Sequence, residues 1–406
     1  MSRSVFSINT LLCPRFKLAG MKPNRLWLAP VLLGAVLISS PGPCANGGTL
    51  TGFYGTYNGL LHPEGELVPE QSGYFTIKAS ANGHFTGKLL VGSRRASFHG
   101  KFDDQGEATV NVWLTTVDFV YCGSCEQGSV AEKKRTLTWT LDLQLVKDGE
   151  QITGQVLHRR GERWIAVLSG DRAGFALTNP APQAGQYTFI LPGNSDLETT
   201  NSPNGHGSGT LTVDTSGKVV LKGVLADGTI ISQSAVLSKD GIWPLFVPLY
   251  KKGMLLAWMT FTNLPETDLV GTVTWIRPAS PGAQLWPAGF TNDIMVVASH
   301  YAQANPVLDL TNGIVVFRGG RLGSPLTNSV TLGAGSVIAT TSGNSVTLTT
   351  AAKTGLFKGS VREPTAAQVI SFRGAVLQKQ NAGFGYFLDA RRSGEVFLGS
   401  SPEDGR

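Results

Sequence analysis

The chain has 406 residues, a formal net charge of +6, 41% hydrophobic residues and only 15% charged residues. An ordinary domain carries about 25% charged residues, and a disordered tail needs many charges and few apolar side chains, so that class is excluded. Glycine is abundant, at 50 residues, but has no three-residue period, which excludes collagen.

The first element is a leader. Residues 26–38 (LWLAPVLLGAVLI) form the longest apolar run, with Lys22 and Arg25 before it and Ser39, Ser40, Gly42 and Ala45 after it. A basic start, a short apolar centre and small residues beyond it make a secretory signal peptide. Thirteen residues are too few for a comfortable membrane-spanning helix of about 20; an uncleaved anchor is the alternative. Met21 is the expected start, with cleavage near Ala45-Asn46. Pro43 before Cys44 departs from a bacterial lipobox. The five leader cations account for most of the charge. Without them the chain has 29 basic and 28 acidic residues, a net of +1. The remaining basic pairs, Arg94-Arg95, Arg159-Arg160, Lys251-Lys252 and Arg391-Arg392, are scattered along the sequence, whereas a nucleic-acid footprint needs a concentrated face. The mature chain is thus expected to be exported, to the outside, the cell surface or the periplasm. It is expected to have no transmembrane span and no nucleic-acid partner.

Beyond the leader the pattern is β throughout. Residues 136–145 (TLTWTLDLQL) put Leu137, Trp139, Leu141, Leu143 and Leu145 on one face and polar side chains on the other, the period of a half-buried strand. Eight strands are expected near 54–60, 73–79, 84–91, 95–102, 107–118, 135–146, 150–158 and 163–169. Asp148-Gly149, Asp227-Gly228, Asp240-Gly241 and Ser393-Gly394 supply hairpin turns. A motif also repeats. Phe85-Thr86-Gly87-Lys88-Leu89 returns as Leu221-Lys222-Gly223-Val224-Leu225 and as Phe357-Lys358-Gly359-Ser360-Val361, so Gly87, Gly223 and Gly359 stand 136 residues apart. A turn dipeptide precedes each copy: Asn82-Gly83, Ser216-Gly217 and Thr354-Gly355. Ser97-Phe98-His99-Gly100 is matched by Ser371-Phe372-Arg373-Gly374, while copy two has Ser232-Gln233-Ser234-Ala235 there. The expected fold is all-β: three tandem antiparallel meander units at 46–180, 181–303 and 304–406. Small up-and-down barrels are favoured because closure removes exposed edges; β-sandwiches are the alternative.

Together with GTYNGL at 55–60, SGYFTI at 72–77 and AVLQKQNAGFGYFL at 375–388, these motifs resemble repeated β-rich modules of large secreted bacterial proteins. The resemblance covers most of the mature chain and implies export and β architecture, but no particular activity. The chain is also similar in architecture to small eight-stranded barrels of bacterial surface receptors.

The sequence offers little chemistry. Cys122 and Cys125 are read as a local disulfide in an exported protein; redox and zinc readings lack a helix start and further ligands. His62, His84, His99, His158, His206 and His300 are too far apart for metal-ligand spacing and read as strand or turn residues. Gly205-His206-Gly207-Ser208-Gly209 has its serine in the wrong place for a nucleophile elbow and reads as a turn. Glu64, Glu66 and Glu70 share one loop and read as solvated surface. No cofactor, metal or catalytic set is expected. Trp139 reads as core. Trp243, Phe246 and Tyr250, beside Pro244 and Pro248, suggest an edge strand whose aromatics could contact a ligand. The leading expectation is a non-catalytic structural, adhesive or binding protein whose partner, a cell-surface glycan or protein, the sequence does not name. The alternatives are a barrel that holds a small ligand or glycan, and a secreted hydrolase whose site would lie near Asp118, Tyr121 and the two cysteines.

Overall fold

A computed structural model describes residues 54–121, 130–158, 165–197, 200–333, 337–340, 345–363, 368–389 and 392–401. The leader and the Cys122/Cys125 pair lie outside the described residues. The described chain is all-β, and no helix among the described residues is long and apolar enough to cross a membrane.

The first eight strands are β1 (Gly55–Pro63), β2 (Gly73–Ala79), β3 (His84–Val91), β4 (Arg94–Lys101), β5 (Glu107–Tyr121), β6 (Val130–Val146), β7 (Gln151–His158) and β8 (Ile165–Arg172). They lie close to the expected positions, with β5 and β6 running further towards the cysteines. They form one antiparallel sheet in the order β4-β3-β2-β1-β8-β7-β6-β5. The sheet curls until its edges meet, which brings Gly100 of β4 against Val110 of β5. The alternation seen in the sequence fills the interior. Tyr57, Phe75, Ile77, Leu114, Trp139, Leu141, Ile152 and Val156 are all buried there.

The last eight strands close completely: β19 (Asn312–Gly319), β20 (Leu326–Thr331), β21 (Val337–Thr340), β22 (Val346–Ala351), β23 (Leu356–Arg362), β24 (Val369–Leu377), β25 (Ala382–Leu388) and β26 (Ser393–Gly399). Strand β19 pairs with β26, and Phe317, Phe357, Phe372, Phe387, Val396 and Leu398 pack inside.

The middle segment departs from a barrel. Strands β9 (Gly185–Leu191), β10 (Gly207–Val213), β11 (Lys218–Val224), β12 (Ile230–Val236) and β18 (Val297–His300) make one sheet. Strands β13 (Ile242–Leu249), β14 (Gly253–Phe261), β15 (Leu269–Val270), β16 (Thr272–Arg277) and β17 (Phe290–Met295) make a second. One apolar core, including Phe189, Leu211, Leu221, Trp243, Leu255 and Trp275, fills the space between them. The break falls between β12 and β13, and its cause is local. Backbone N–H groups alternate sides along a strand, so residues 244, 246 and 248 share one side. Two of them are proline and have no N–H to give. The third, Phe246 N–H, donates to Gln233 Oε1 at 3.2 Å, while Gln233 Nε2 donates to Pro244 O at 3.0 Å. One amide side chain thus takes the place of a ladder, and β13 becomes the edge that its prolines suggested.

The three motif-bearing hairpins share a geometry. Gly83, Gly217 and Gly355 all have positive φ, at 81°, 77° and 69°. Their carbonyls accept from Phe102, Leu237 and Val376 N–H at 3.0, 2.8 and 2.8 Å. In both barrels two Phe-x-Gly segments then pair reciprocally. Gly87 lies opposite Phe98 and Phe85 opposite Gly100; Gly359 lies opposite Phe372 and Phe357 opposite Gly374. Each ring covers the glycine across from it, so a Cβ at Gly87 would stand 2.2 Å from the Phe98 ring. At Gly223 the covering ring is Phe189, at 2.9 Å.

Polar and apolar contacts hold each barrel to the middle sheets. Asn58, 1% exposed, receives Val236 N–H on Oδ1 at 2.9 Å and donates from Nδ2 to Val236 O at 3.2 Å. Leu60 of β1 packs with Phe246, Met254 and Leu256. On the other side Lys379 Nζ reaches Asp268 Oδ1 at 2.7 Å, Asn263 Oδ1 at 2.8 Å and Leu264 O at 2.7 Å. Gln378 exchanges two 2.9 Å hydrogen bonds with the Ala302 backbone. Replacing Asn58 by alanine leaves a donor and an acceptor of Val236 without partners, at a cost of about 1–3 kcal/mol. The expected result is a lower unfolding midpoint in urea with an unchanged slope; an unchanged midpoint would remove Asn58 from the docking contact.

Candidate functional site

Both barrels are filled by side chains, so the concave surfaces lie outside them. A groove of about 920 Å³ runs between the outer faces of β2–β4 and those of β11–β13. A second, of about 790 Å³, runs between β10–β12 and β22–β24. Lys222 and Ser232 line both. They face each other across β11 and β12, so the grooves meet there in one valley between the barrels.

Strand parity decides what the valley shows. Residues that alternate with buried Phe85, Leu89 and Phe98 must point outwards, which places Lys88 and Arg95 on the first wall. Lys222 rises from the floor, because its neighbour Leu221 is buried. Lys358 and Arg373 stand on the third wall, alternating with buried Phe357 and Phe372. All five cations are exposed. None lies within ion-pair distance of a carboxylate among the described residues, and no Asp or Glu lines either groove. Lys358 sits directly across from Arg373. Like charges in that position oppose the pairing, so the arrangement favours an anion between them. Thr76, Ser97, Ser232, Ser234, Thr349 and Thr354 line the same grooves. Tyr74 also lines the first groove. Burial pushes its phenol up, so it stays neutral, and it donates to Asn58 Oδ1 at 3.3 Å.

The aromatics singled out in the sequence have other roles. Trp243 is 1% exposed in the middle core, and its indole N–H has no partner among the described residues. Phe246 is buried beneath the first groove. Tyr250 belongs to a closed cluster. Its hydroxyl donates to Asp227, whose buried carboxylate also takes Arg277 Nη1 at 2.5 Å. The Arg277 guanidinium lies 4.6 Å from the Tyr250 ring centre and 5.5 Å from that of Trp286. Burial, and then the Asp227 charge, raise the Tyr250 pKa. Every charge there is matched, so the cluster joins strands and offers nothing to a ligand.

The Gly-His-Gly-Ser-Gly segment, expected as a turn, instead enters strand β10 at Gly207, and its first half is docked as well. His206 N–H donates to Gly385 O at 3.0 Å, and its Nδ1 accepts from Gly193 N–H at 3.1 Å. The second ring nitrogen lies 3.6 Å from Glu395, which Arg318 approaches at 3.3 Å. Hydrogen bonding from His206, opposed in part by burial, holds the Glu395 carboxyl below its ordinary value. A lowered carboxyl pKa stabilises the fold above the unfolded value, and the gain is lost as pH falls through the folded value. The melting temperature is therefore expected to drop below about pH 4.5, and less steeply in Glu395→Gln. Equal slopes in wild type and variant would remove Glu395 from the acid response.

The glycines Gly87, Gly223 and Gly359 thus serve as ring seats. His84 and His99 are exposed on adjacent strands. Glu64 and Glu66 are exposed in their loop, and Glu70 is half-buried. Asp118 and Tyr121 lie in the last four residues of strand β5. Among the described residues no three His, Cys, Asp or Glu side chains gather to hold a metal. Lys88, Lys222, Lys358 and Arg373 were not singled out in the sequence. Their signal was proximity to the repeated Phe-x-Gly segments at outward parity.

No family model matches the chain, and no curated protein matches it. Solved structures of transferrin binding protein B are similar to it. A double mutant (Tyr-167-Ala and Trp-176-Ala) of the Haemophilus parasuis Hp5 vaccine antigen is 11% identical over 85% of this chain and 75% of that one, with a TM-score of 0.23. The intact N and C lobes of Ap-TbpB give 12%, 86% and 76%, with a TM-score of 0.22. The isotype 1 protein of serogroup B Neisseria meningitidis gives 12%, 75% and 65%, with a TM-score of 0.19. Overlays at these TM-scores carry no functional argument.

Proposed function

We propose that the chain is an exported, non-catalytic binding protein that holds its partner in the valley between the two barrels, at the cell surface, outside the cell or in the periplasm. One observation carries the reading. Five exposed cations without ion-pair partners among the described residues converge on one concave face, although residues 46–406 together carry a net charge of only +1. A concave face with converging polar groups is where ligands bind, and filled barrel interiors direct a ligand to the outside. Beside aliphatic residues such as Leu90, Val220 and the exposed Ile230, the valley lining has cations, hydroxyls and the Gln233 amide, with no carboxylate, imidazole or thiol. It therefore offers recognition groups rather than the usual general bases. Export is supported by the leader sequence, in which a basic start precedes a short apolar run.

The test is an array of extracellular glycans and proteins probed with wild type and with Lys222→Glu, at a position where the side chain is exposed. The expected result is a ligand retained by wild type and lost by the variant. Ligands that bind both equally, or that wild type converts to product, would overturn the reading.

A further inference from the structure

Resting on that reading, we infer that the valley's ligand is a polyuronate: an extended, hydroxyl-rich sugar chain with about one carboxylate per residue. Length comes first. Each groove alone is of a size that takes a whole drug-sized ligand, and the two adjoin at Lys222 and Ser232, which line both. A single small anion needs no such trough, whereas an oligomer can lie along it.

Charge spacing comes second. Lys358 and Arg373 are directly opposite, so their Cβ atoms are about 5 Å apart. Arg95 is the diagonal neighbour of Lys88, whose direct partner is Ser97, which sets them about 7–8 Å apart. Lys222 stands singly between the two pairs. Five cations spread so thinly suit one carboxylate per sugar and are too sparse for a densely sulfated chain. Arg95 and Arg373 can each grip a carboxylate with two parallel N–H bonds.

The remaining lining separates sugars from nucleic acid. Hydroxyls of Ser97, Ser232 and Ser234 line the same grooves as the cations, where sugar hydroxyls could exchange hydrogen bonds with them. Single-stranded nucleic acid is held by stacking its bases on open aromatic faces. Phe246 and Phe357 of the lining are each 2% exposed, and Tyr74 is half-buried with its hydroxyl bonded to Asn58, so none offers an open face.

The experiment is calorimetric titration of the purified protein with oligogalacturonate, in parallel with neutral galactan oligomers, heparin and duplex DNA. Oligogalacturonate is expected to bind, with affinity falling roughly tenfold or more when salt is raised from low to several-fold higher concentration, because the contacts are ionic and exposed. Lys222→Glu and Arg373→Glu are each expected to weaken it by about tenfold. Lys222→Ser should give a smaller loss with the same melting temperature, which separates recognition from folding. Lys252→Glu makes the same charge change outside the grooves and is expected to leave binding within about twofold. Tighter binding of heparin or DNA than of oligogalacturonate would overturn the uronate assignment. So would oligogalacturonate binding that Lys222→Glu leaves intact. If a neutral glycan or a protein binds and responds to Lys222→Glu while oligogalacturonate does not, the valley stands and the polyuronate falls. If no ligand responds to Lys222→Glu, both fall.

Discussion

Asp227→Ala is expected to destabilise the protein by about 3–5 kcal/mol, because it removes one partner of a buried ion pair and strands the other. The Asp227 side chain has no exposed surface and Arg277 only 16%. After the change the guanidinium keeps its place between the Tyr250 and Trp286 rings and its 3.4 Å bond to Leu285 O, but has no counter-charge. The Tyr250 hydroxyl also loses its acceptor, in a loop where Tyr250 and Lys251 already hold positive φ values of 50° and 68°. The damage should centre on the turn between β11 and β12, at the end of the valley floor. Urea unfolding followed by tryptophan fluorescence measures it. Replacing Asp227 and Arg277 together by apolar residues should recover much of the loss, since a missing pair costs less than a broken one. A single mutant as stable as wild type would show that the pair contributes nothing.

Gly359→Ala is the second large effect. A Cβ there would lie 1.9 Å from the Thr347 carbonyl oxygen and 2.6 Å from the Phe372 ring. The oxygen belongs to the paired strand and has no rotamer by which to withdraw, so β22 and β23 must separate locally. Overpacking of this kind costs about 3 kcal/mol or more. Gly87→Ala meets first the tip of the Phe98 ring, which can tilt, and is expected to cost less, about 1–2 kcal/mol. The order of the two melting temperatures is the check. A Gly87 variant less stable than the Gly359 variant would contradict the ring-seat geometry.

These glycines show how much of the fold was written locally. Alternation placed the strands of the first barrel because each has one face on the core and one on solvent. Six of the seven turn dipeptides marked real turns because their glycines take the left-handed conformation, whereas Ser393-Gly394, expected as a turn, opens strand β26. The recurring Phe-x-Gly segments were visible as a repeat, but their purpose was not, since the ring that covers each glycine comes from the neighbouring strand. The middle segment broke the expected barrel pattern through parity. Pro244 and Pro248 sit two either side of Phe246, on the same side of the strand, and Gln233 supplies the missing partner. That spacing could have been read as a blank edge. The valley was less accessible. The outward parity of Lys88, Lys222 and Lys358 is legible, but that the outer faces of β3, β11 and β23 turn towards one valley depends on how the barrels dock. Docking rests on dispersed contacts such as Asn58 to Val236 and Lys379 to Asp268. Adjacency of basic residues along the chain therefore does not mark the valley. Of the Arg94-Arg95 pair only Arg95 faces the valley, while Arg94 lies over the Trp139 ring at 5.9 Å.

Lysine footprinting tests the central claim most directly. The protein is acylated briefly with and without a saturating amount of the ligand that the array returns, and modification at each lysine is read by mass spectrometry. Lys88, Lys222 and Lys358 are expected to be protected together, while Lys101 and Lys252, exposed but outside both grooves, react as before. Protection at Lys101 or Lys252 with the three valley lysines unchanged would contradict it.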